Sequence, residues 1–300
     1  MSSVLATREL GRRYGSVWAL RNCSFGVPAG SVTALVGPNG AGKTTLLEIA
    51  VGILGPSEGE IFILGTPVRG QQPSLLSRIG FVAQDAPLYR NFTVLDMLRV
   101  GSHLNPRWDD SLARERLRRL RIPFDRKCGQ LSGGQQAQVA LTLAVAKRPE
   151  LLILDEPVAR LDPLARREFL ESLMEIVAGG DVTVLLSSHL ISDLERVSDH
   201  LVLLSEGRVL LSGDTDRLLA EHAVLSGPRN NVEALAASCE VIDARHTDRQ
   251  MTLFVRRPNT LIDPRVTADA VDLEELVLAY LRQRSVARVA AEPELVASAS

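Results

Sequence analysis

The sequence predicts an α/β fold: a mainly parallel sheet, a helical subdomain inserted into it, and a small C-terminal α+β module. Two observations carry this expectation. Short apolar runs rich in β-branched residues recur through the first two thirds of the chain, separated by helical stretches, as expected of strands buried on both faces. Beyond about Glu221 that pattern stops, and turn residues give way to shorter strand-like and helical segments.

Taken in order, the first buried strand is Val32-Thr33-Ala34-Leu35-Val36, which stops at Gly37. Matching runs follow at 79–83, 151–154, 182–186 and 200–204. Between Ala86 and Glu150 the character changes. Thr93 to Leu104 and the arginine-rich stretch from Ser111 to Arg121 read as helices, as does the Ala/Leu-rich stretch from Gln135 to Lys147, closed by Pro149. The helical subdomain is therefore placed at about 86–148 within a first domain of 1–225. Ser226 to Asn231 reads as a turn or linker. Strands at 240–244 and 251–256 and a helix at 273–281 make a second module over 226–285. Residues 286–300, rich in Ala, Val and Ser, are expected to be disordered.

Composition narrows the function. A formal charge of −2 over 300 residues gives no basic footprint, so nucleic acid is not expected as a partner. The three cysteines are far apart and form no CxxC pair, which argues against a disulfide framework or a zinc site. No apolar run is long enough to span a bilayer, so any membrane work would be done through a partner.

Gly37-Pro38-Asn39-Gly40-Ala41-Gly42-Lys43-Thr44 fits the pattern GxxxxGK[ST] between a strand and a helix. Its glycines let backbone N–H groups face phosphate oxygens, and the helix N-terminus adds partial positive charge. Lys43 supplies a cation for the β- and γ-phosphates and Thr44 a hydroxyl for Mg²⁺. Asp155 and Glu156 end a buried strand, on the edge where ligands sit in an open α/β sheet. Asp155 is placed to hold Mg²⁺, and Glu156 to polarise an attacking water. Leu131-Ser132-Gly133-Gly134-Gln135 opens a helix and reads as a second phosphate-facing N-terminus. An ordinary Ser-capped helix has a similar start, but a head-to-tail dimer would use this loop to cap phosphate held by the other protomer.

With these segments in hand the chain, from about Val4 to Glu221, resembles the ATP-binding subunits of ATP-binding-cassette (ABC) transporters. The resemblance rests on the order and spacing of GPNGAGKTT at 37–45, LSGGQ at 131–135, LLILDEP at 151–157 and His189 after Leu185-Leu186-Ser187-Ser188. It implies a P-loop NTPase core whose helical subdomain carries the LSGGQ signature. ATP and Mg²⁺ are the implied ligands, with Thr45 and Gln135 inside the nucleotide-binding segments. It further implies that Tyr14 stacks on adenine, that Gln84 approaches Mg²⁺ and the attacking water, and that His189 contacts the γ-phosphate. Asp162 matches the aspartate of the loop linking two protomers' sites, where Arg160 departs from the commonest Ser-Ala-Leu-Asp form.

The implied partners are an integral membrane permease and a second ATP-binding subunit, either an identical copy or a paralogue. The implied location is cytoplasmic, peripheral on the inner face of the cell membrane. The Gln84–Leu95 region would pass motion to the permease. Residues 272–281 resemble the end of YtrB-like and bacitracin-resistance-like exporter subunits, over a short stretch only. The arginines at 114, 116, 118, 119 and 121 read most simply as a solvated helix face, the functional reading being contact with headgroups or permease. The rival function is a soluble, non-transport ABC ATPase. Its families carry long coiled coils, zinc motifs or paired cassettes, none of which is read here.

Overall fold

A computed structural model describes residues 3–84, 88–180, 182–256 and 264–291, with side chains described as far as 283. Strands β1 (Ser3–Tyr14) and β2 (Val17–Pro28) form a hairpin, and β3 (Val32–Val36) leads into helix α1 (Lys43–Ala50). Strands β4 (Glu58–Ile63) and β5 (Thr66–Pro67), the short helix α2 (Pro73–Leu76) and β6 (Ile79–Val82) follow. Next come helices α3 (Val94–Leu104), α4 (Asp110–Arg119) and α5 (Gly133–Val145). After them lie β7 (Leu151–Asp155), α6 (Pro163–Ala178), β8 (Thr183–Ser188), α7 (Ile191–Leu194), β9 (His200–Ser205) and β10 (Arg208–Asp214). The remainder is α8 (Thr215–Ala220), β11 (His222–Pro228), α9 (Arg229–Ala236), β12 (Glu240–His246), β13 (Gln250–Arg256), β14 (Thr267–Asp269) and α10 (Leu273–Ala291).

The central sheet has the order β10-β9-β3-β8-β7-β6, with β3, β8, β9, β7 and β6 paired in parallel. Every residue of β3, β7 and β8 is buried, which is why these strands read as continuous apolar runs. The parallel register sets Asp155 opposite Ser187 at one edge of the sheet. A second, antiparallel sheet of order β2-β1-β4-β5 packs on one face through Leu5, Leu10, Leu20, Ile61 and Ile63, meeting Leu46 and Leu47 of α1.

This antiparallel sheet is not among the strands expected from the sequence. The reason is physical: the β1–β2 ladder slips register repeatedly, and Glu9 and Asn22 sit at φ 48° and 52°. Such bulges break the two-residue alternation by which a half-buried strand is read.

The helical subdomain is present. Val94, Leu98, Leu117, Ile122, Leu131 and Val139 of α3–α5 and their connections make its own core. Its helices start where cap chemistry dictates. Thr93 and Asp96 form a capping box ahead of α3, and Asp109 caps α4.

The chain divides into two compact units after Ser212, and not after residue 225 as expected. The segment 226–231, expected as a linker, is the end of strand β11 and the first turn of α9. The second unit is an antiparallel sheet of order β12-β13-β11-β14. Leu225, Leu253 and Val255 on one face pack against Val232 of α9. Strand β11 is therefore central to this sheet, and a cut at 225 would sever it. Helix α10 runs to Ala291, ten residues past its expected end at Leu281, so the stretch expected as a disordered tail from 286 is helical through 291. The rest of that tail lies outside the described residues.

Candidate functional site

Strand β3 ends in the buried parallel sheet, and its chain turns through Gly37–Gly42 into α1. Gly42 is the N-cap of α1 at φ 105°, and a Cβ there would lie 2.4 Å from the Ala19 carbonyl oxygen. Only glycine fits. Because it has no side chain, no cap oxygen occupies the first N–H groups of α1. They remain available to an anion.

Lys43 folds back over this loop. Its ammonium donates to the carbonyls of Gly37 at 2.7 Å and Pro38 at 3.3 Å, and pairs with Glu156 Oε1 at 3.3 Å. Both side chains of the pair are 7% exposed, so each charge depends on the other and on the polar groups around it. The second carboxylate oxygen, Glu156 Oε2, lies 2.6 Å from Nδ1 of His189. Glu156, the residue after β7, thus joins the phosphate-loop lysine to His189, the residue after β8.

Glu156 also holds a left-handed backbone conformation at φ 48°. Strain of that kind persists only where neighbours fix it. Here the neighbour is Ser187, which the sequence reading passed over. The Glu156 N–H donates to Ser187 Oγ at 2.9 Å and to the Ser187 carbonyl at 3.2 Å. The Ser187 hydroxyl in turn donates to Asp155 Oδ1 at 2.6 Å. Ser187 is fully buried, and one hydroxyl fixes both acids. A register argument would have found it, since Ser187 faces Asp155 across the parallel β7–β8 ladder.

A cavity of about 360 Å³ is lined by Asn39, Gly40, Ala41, Gly42, Lys43, Thr44, Thr45, Gln84 and Glu156, with Ala19 of β2. The structure therefore brings together the phosphate loop, Glu156 and Gln84. Thr44 and Gln84 line this cavity, while Asp155, the expected metal-binding carboxylate, is buried with its Oδ1 held by Ser187 and is not part of the lining. The oxygens of these three side chains are donors of the kind that suits Mg²⁺.

The other expected residues are placed differently. Tyr14 stands at the end of the β1–β2 hairpin, 47% exposed, with the Arg12 guanidinium 4.9 Å from its ring centroid. It does not line the cavity.

Ser132 and Gln135 lie outside the cavity lining and form a reciprocal capping box at α5, each contact 3.2 Å. The second glycine has a packing cause, because a Cβ on Gly134 would sit 2.8 Å from the Ala165 Cβ. Gly133 has no such constraint: its Cβ would meet only Leu161 at 3.7 Å. Packing therefore accounts for the glycine at 134 and leaves the one at 133 without a steric cause. Asp162 is the N-cap of α6, its Oδ1 accepting from Leu164 N at 3.1 Å and Ala165 N at 3.0 Å. Of the segment after Gln84, residues 85–87 lie outside the described residues. Tyr89 and Phe92 beyond them are exposed, their ring centroids 5.1 Å apart and their planes tilted by 36°.

Among the described residues no helix is long and apolar enough to cross a membrane, and no cluster of metal-ligating side chains of the His/Cys/Asp/Glu type occurs.

Comparison with known proteins places this geometry. Residues 20–159 match the family described as ABC transporter, and residues 129–192 also match an AAA-domain family. Nod factor export ATP-binding protein I of Burkholderia orbicola (strain AU 1054) is 35% identical over 223 residues, 73% of this chain and 71% of that protein. The protein of the same name from Cupriavidus metallidurans (strain ATCC 43123 / DSM 2839 / NBRC 102507 / CH34) is 30% identical over 272 residues, 87% and 89% of the two chains. A solved structure of an ATP-binding subunit of an ABC transporter superposes with TM-score 0.65 at 29% identity, covering 73% of this chain and 92% of that one. The two Nod factor export relatives bear on the family and do not test the YtrB-like or bacitracin-resistance-like resemblance of residues 272–281.

Proposed function

The chain belongs to the ABC transporter family as an ATP-binding subunit, and from that premise we propose that it hydrolyses ATP to drive export through a separately encoded membrane permease. The observation that carries the hydrolytic reading is the contact of the buried Glu156 carboxylate with both Lys43 and His189.

In this reading the triphosphate lies along the N–H groups at the start of α1, and its oxygens take over the ammonium of Lys43. Glu156 is then released from its ion pair. It accepts the proton of the water that attacks the γ-phosphorus, while the bond from phosphorus to the bridging oxygen breaks and ADP leaves. His189, which holds Oε2 of the same carboxylate, would donate to the γ-phosphate. Asp155, Thr44 and Gln84 would hold Mg²⁺, which supplies charge neutralisation for the β- and γ-phosphates. Ser187 keeps Asp155 and Glu156 in register.

The signature segment 132–135 does not line this chain's own cavity, which supports a composite site closed by a second subunit. Tyr14 would stack on the adenine, and Asp162 would link the two sites. The permease would dock against the segment following Gln84, where Tyr89 and Phe92 present exposed aromatic surface. That arrangement puts the protein at the cytoplasmic face of a membrane. The export direction is supported by the names of the two relatives.

Phosphate release by the purified chain tests the enzymatic reading. Turnover should require Mg²⁺ and fall at least about a hundredfold in Lys43→Ala, the scale of losing a main charge-stabilising group. Turnover unchanged in that variant would reject the assignment.

A further inference from the structure

A cavity of about 470 Å³ lies where α4, the end of α5 and the C-terminal half of α6 meet, apart from the phosphate loop. Its apolar wall includes Leu112, Val145, Pro149 and Ile176, with charged side chains of both signs among them.

Nearly all of those charges have an opposite charge close by. Arg119 contacts Glu115 at 3.2 Å and Glu175 at 3.6 Å. Arg148 contacts Asp109 at 2.6 Å. Glu150 is held by Arg78 at 2.6 Å and Arg107 at 3.3 Å. Arg116 is the exception. Among the described residues no carboxylate lies within ion-pair distance of it; its Nη2 donates to Gln138 Oε1 at 3.2 Å, and its buried Nε has no hydrogen-bond partner. Burial pulls its pKa down to about 10, with Glu175 acting in the opposite direction. A guanidinium short of an anion, held against an apolar wall, favours a ligand that brings both an anion and apolar surface.

The geometry points to a second binding site here for a small amphiphilic monoanion: a carboxylate to complete Arg116, on an apolar body that fills the cavity between Leu112, Val145 and Ile176. Arg116 is held in place for this from behind. Its partner Gln138 is buried, and donates its own amide to Ser172 Oγ at 3.2 Å and to the Glu168 carbonyl at 3.4 Å. The site thus rests on the bodies of α5 and α6, the helices whose N-caps are Ser132 and Asp162.

Isothermal titration of the full chain with sodium octanoate tests the proposal, with acetate, octan-1-ol and octylammonium as comparison ligands. Octanoate should bind at one site, and excess Mg-ATP should not displace it. Acetate lacks the apolar body and octylammonium carries the wrong charge, so both should bind far more weakly. Arg116→Met should weaken octanoate roughly ten- to hundredfold, the scale of one charge-assisted hydrogen bond. Leu112→Trp, which fills the cavity and leaves the guanidinium, should abolish binding even if Arg116→Met proves insoluble. Lys43→Ala should leave octanoate affinity unchanged. The proposal is overturned by no octanoate binding, by equal binding of octylammonium, by displacement with Mg-ATP, or by full affinity in either cavity variant.

Discussion

Glu156 Oε1 lies 3.3 Å from Lys43 Nζ, with both side chains buried, so the proposed general base and the proposed phosphate-binding cation neutralise each other in this structure. Replacing Glu156 by Gln removes the base but keeps its size and leaves Lys43 on the carbonyls of Gly37 and Pro38. Steady-state turnover should fall about 10²–10⁴-fold, the usual range for a general base. ATP affinity should be equal or tighter, because the phosphate no longer displaces a carboxylate. Nucleotide affinity lost together with turnover would contradict the role.

Ser187 is expected to matter as a positioning residue. In Ser187→Ala, Asp155 loses its hydroxyl donor and the Glu156 N–H keeps only the Ser187 carbonyl. The fold should lose about 1–3 kcal/mol, the cost of disturbing buried hydrogen bonds. The kcat should fall with little change in KM, and Ser187→Thr, which keeps the hydroxyl, should recover part of it. A variant with wild-type kcat would show that the strained Glu156 backbone does not depend on this hydroxyl.

The second unit should be acid-sensitive through His222. Its Nδ1 lies 2.6 Å from the Leu218 carbonyl and must donate, so Nε2 accepts from the Tyr280 hydroxyl at 2.9 Å. Burial lowers its pKa below the ordinary value of 6.5. The unfolded chain therefore takes up a proton first as the pH falls. Stability is full above about pH 6.5 and is lost from there down to the folded pKa, at up to about 1.4 kcal/mol per pH unit. Glu221 acts lower. Hydrogen bonds from Arg217 and Arg256 bring its pKa to about 2, so its contribution is lost only as the pH falls from about 4.5 towards 2. Denaturant titrations between pH 5 and 7 should show a slope that His222→Gln flattens. An equal slope in both proteins would contradict this.

Arg116 gives a stability prediction independent of any ligand. A guanidinium with a buried, unpartnered Nε contributes little, so Arg116→Met should stay within about 1 kcal/mol of the parent protein or exceed it. A loss on the scale of a core truncation, about 2–5 kcal/mol, would mean that its link to Gln138 holds α4 in place.

Much of this was legible in the sequence, for identifiable reasons. Strands β3, β7 and β8 are buried on both faces, so their apolar runs are unbroken. The phosphate loop needs glycine at fixed places, as Gly42 shows, and the cap residues Thr93 and Asp109 mark their helices by type. What escaped is what depends on register or on distant packing. Bulges at Glu9 and Asn22 hid the first sheet. Ser187 gains its role only from the strand beside it. The reason for Gly134 is Ala165, on another helix. Strand β11 begins with polar His222 and ends in Gly227-Pro228, punctuation that reads as a turn until its neighbours are known.

The central claim is that ATP is bound between two subunits, with Lys43 of one and Ser132 of the other on the same triphosphate. Size-exclusion chromatography with light scattering, at high protein concentration with and without Mg-ATP, tests it most directly. Glu156→Gln should bind ATP without turning it over and accumulate as a dimer, because ligand binding and association are linked. Adding Ser132→Arg places bulk and charge where phosphate must dock, while the chain's own cavity is untouched. The double variant should bind ATP as a monomer. An ATP-dependent dimer of undiminished stability in the double variant would contradict the composite site.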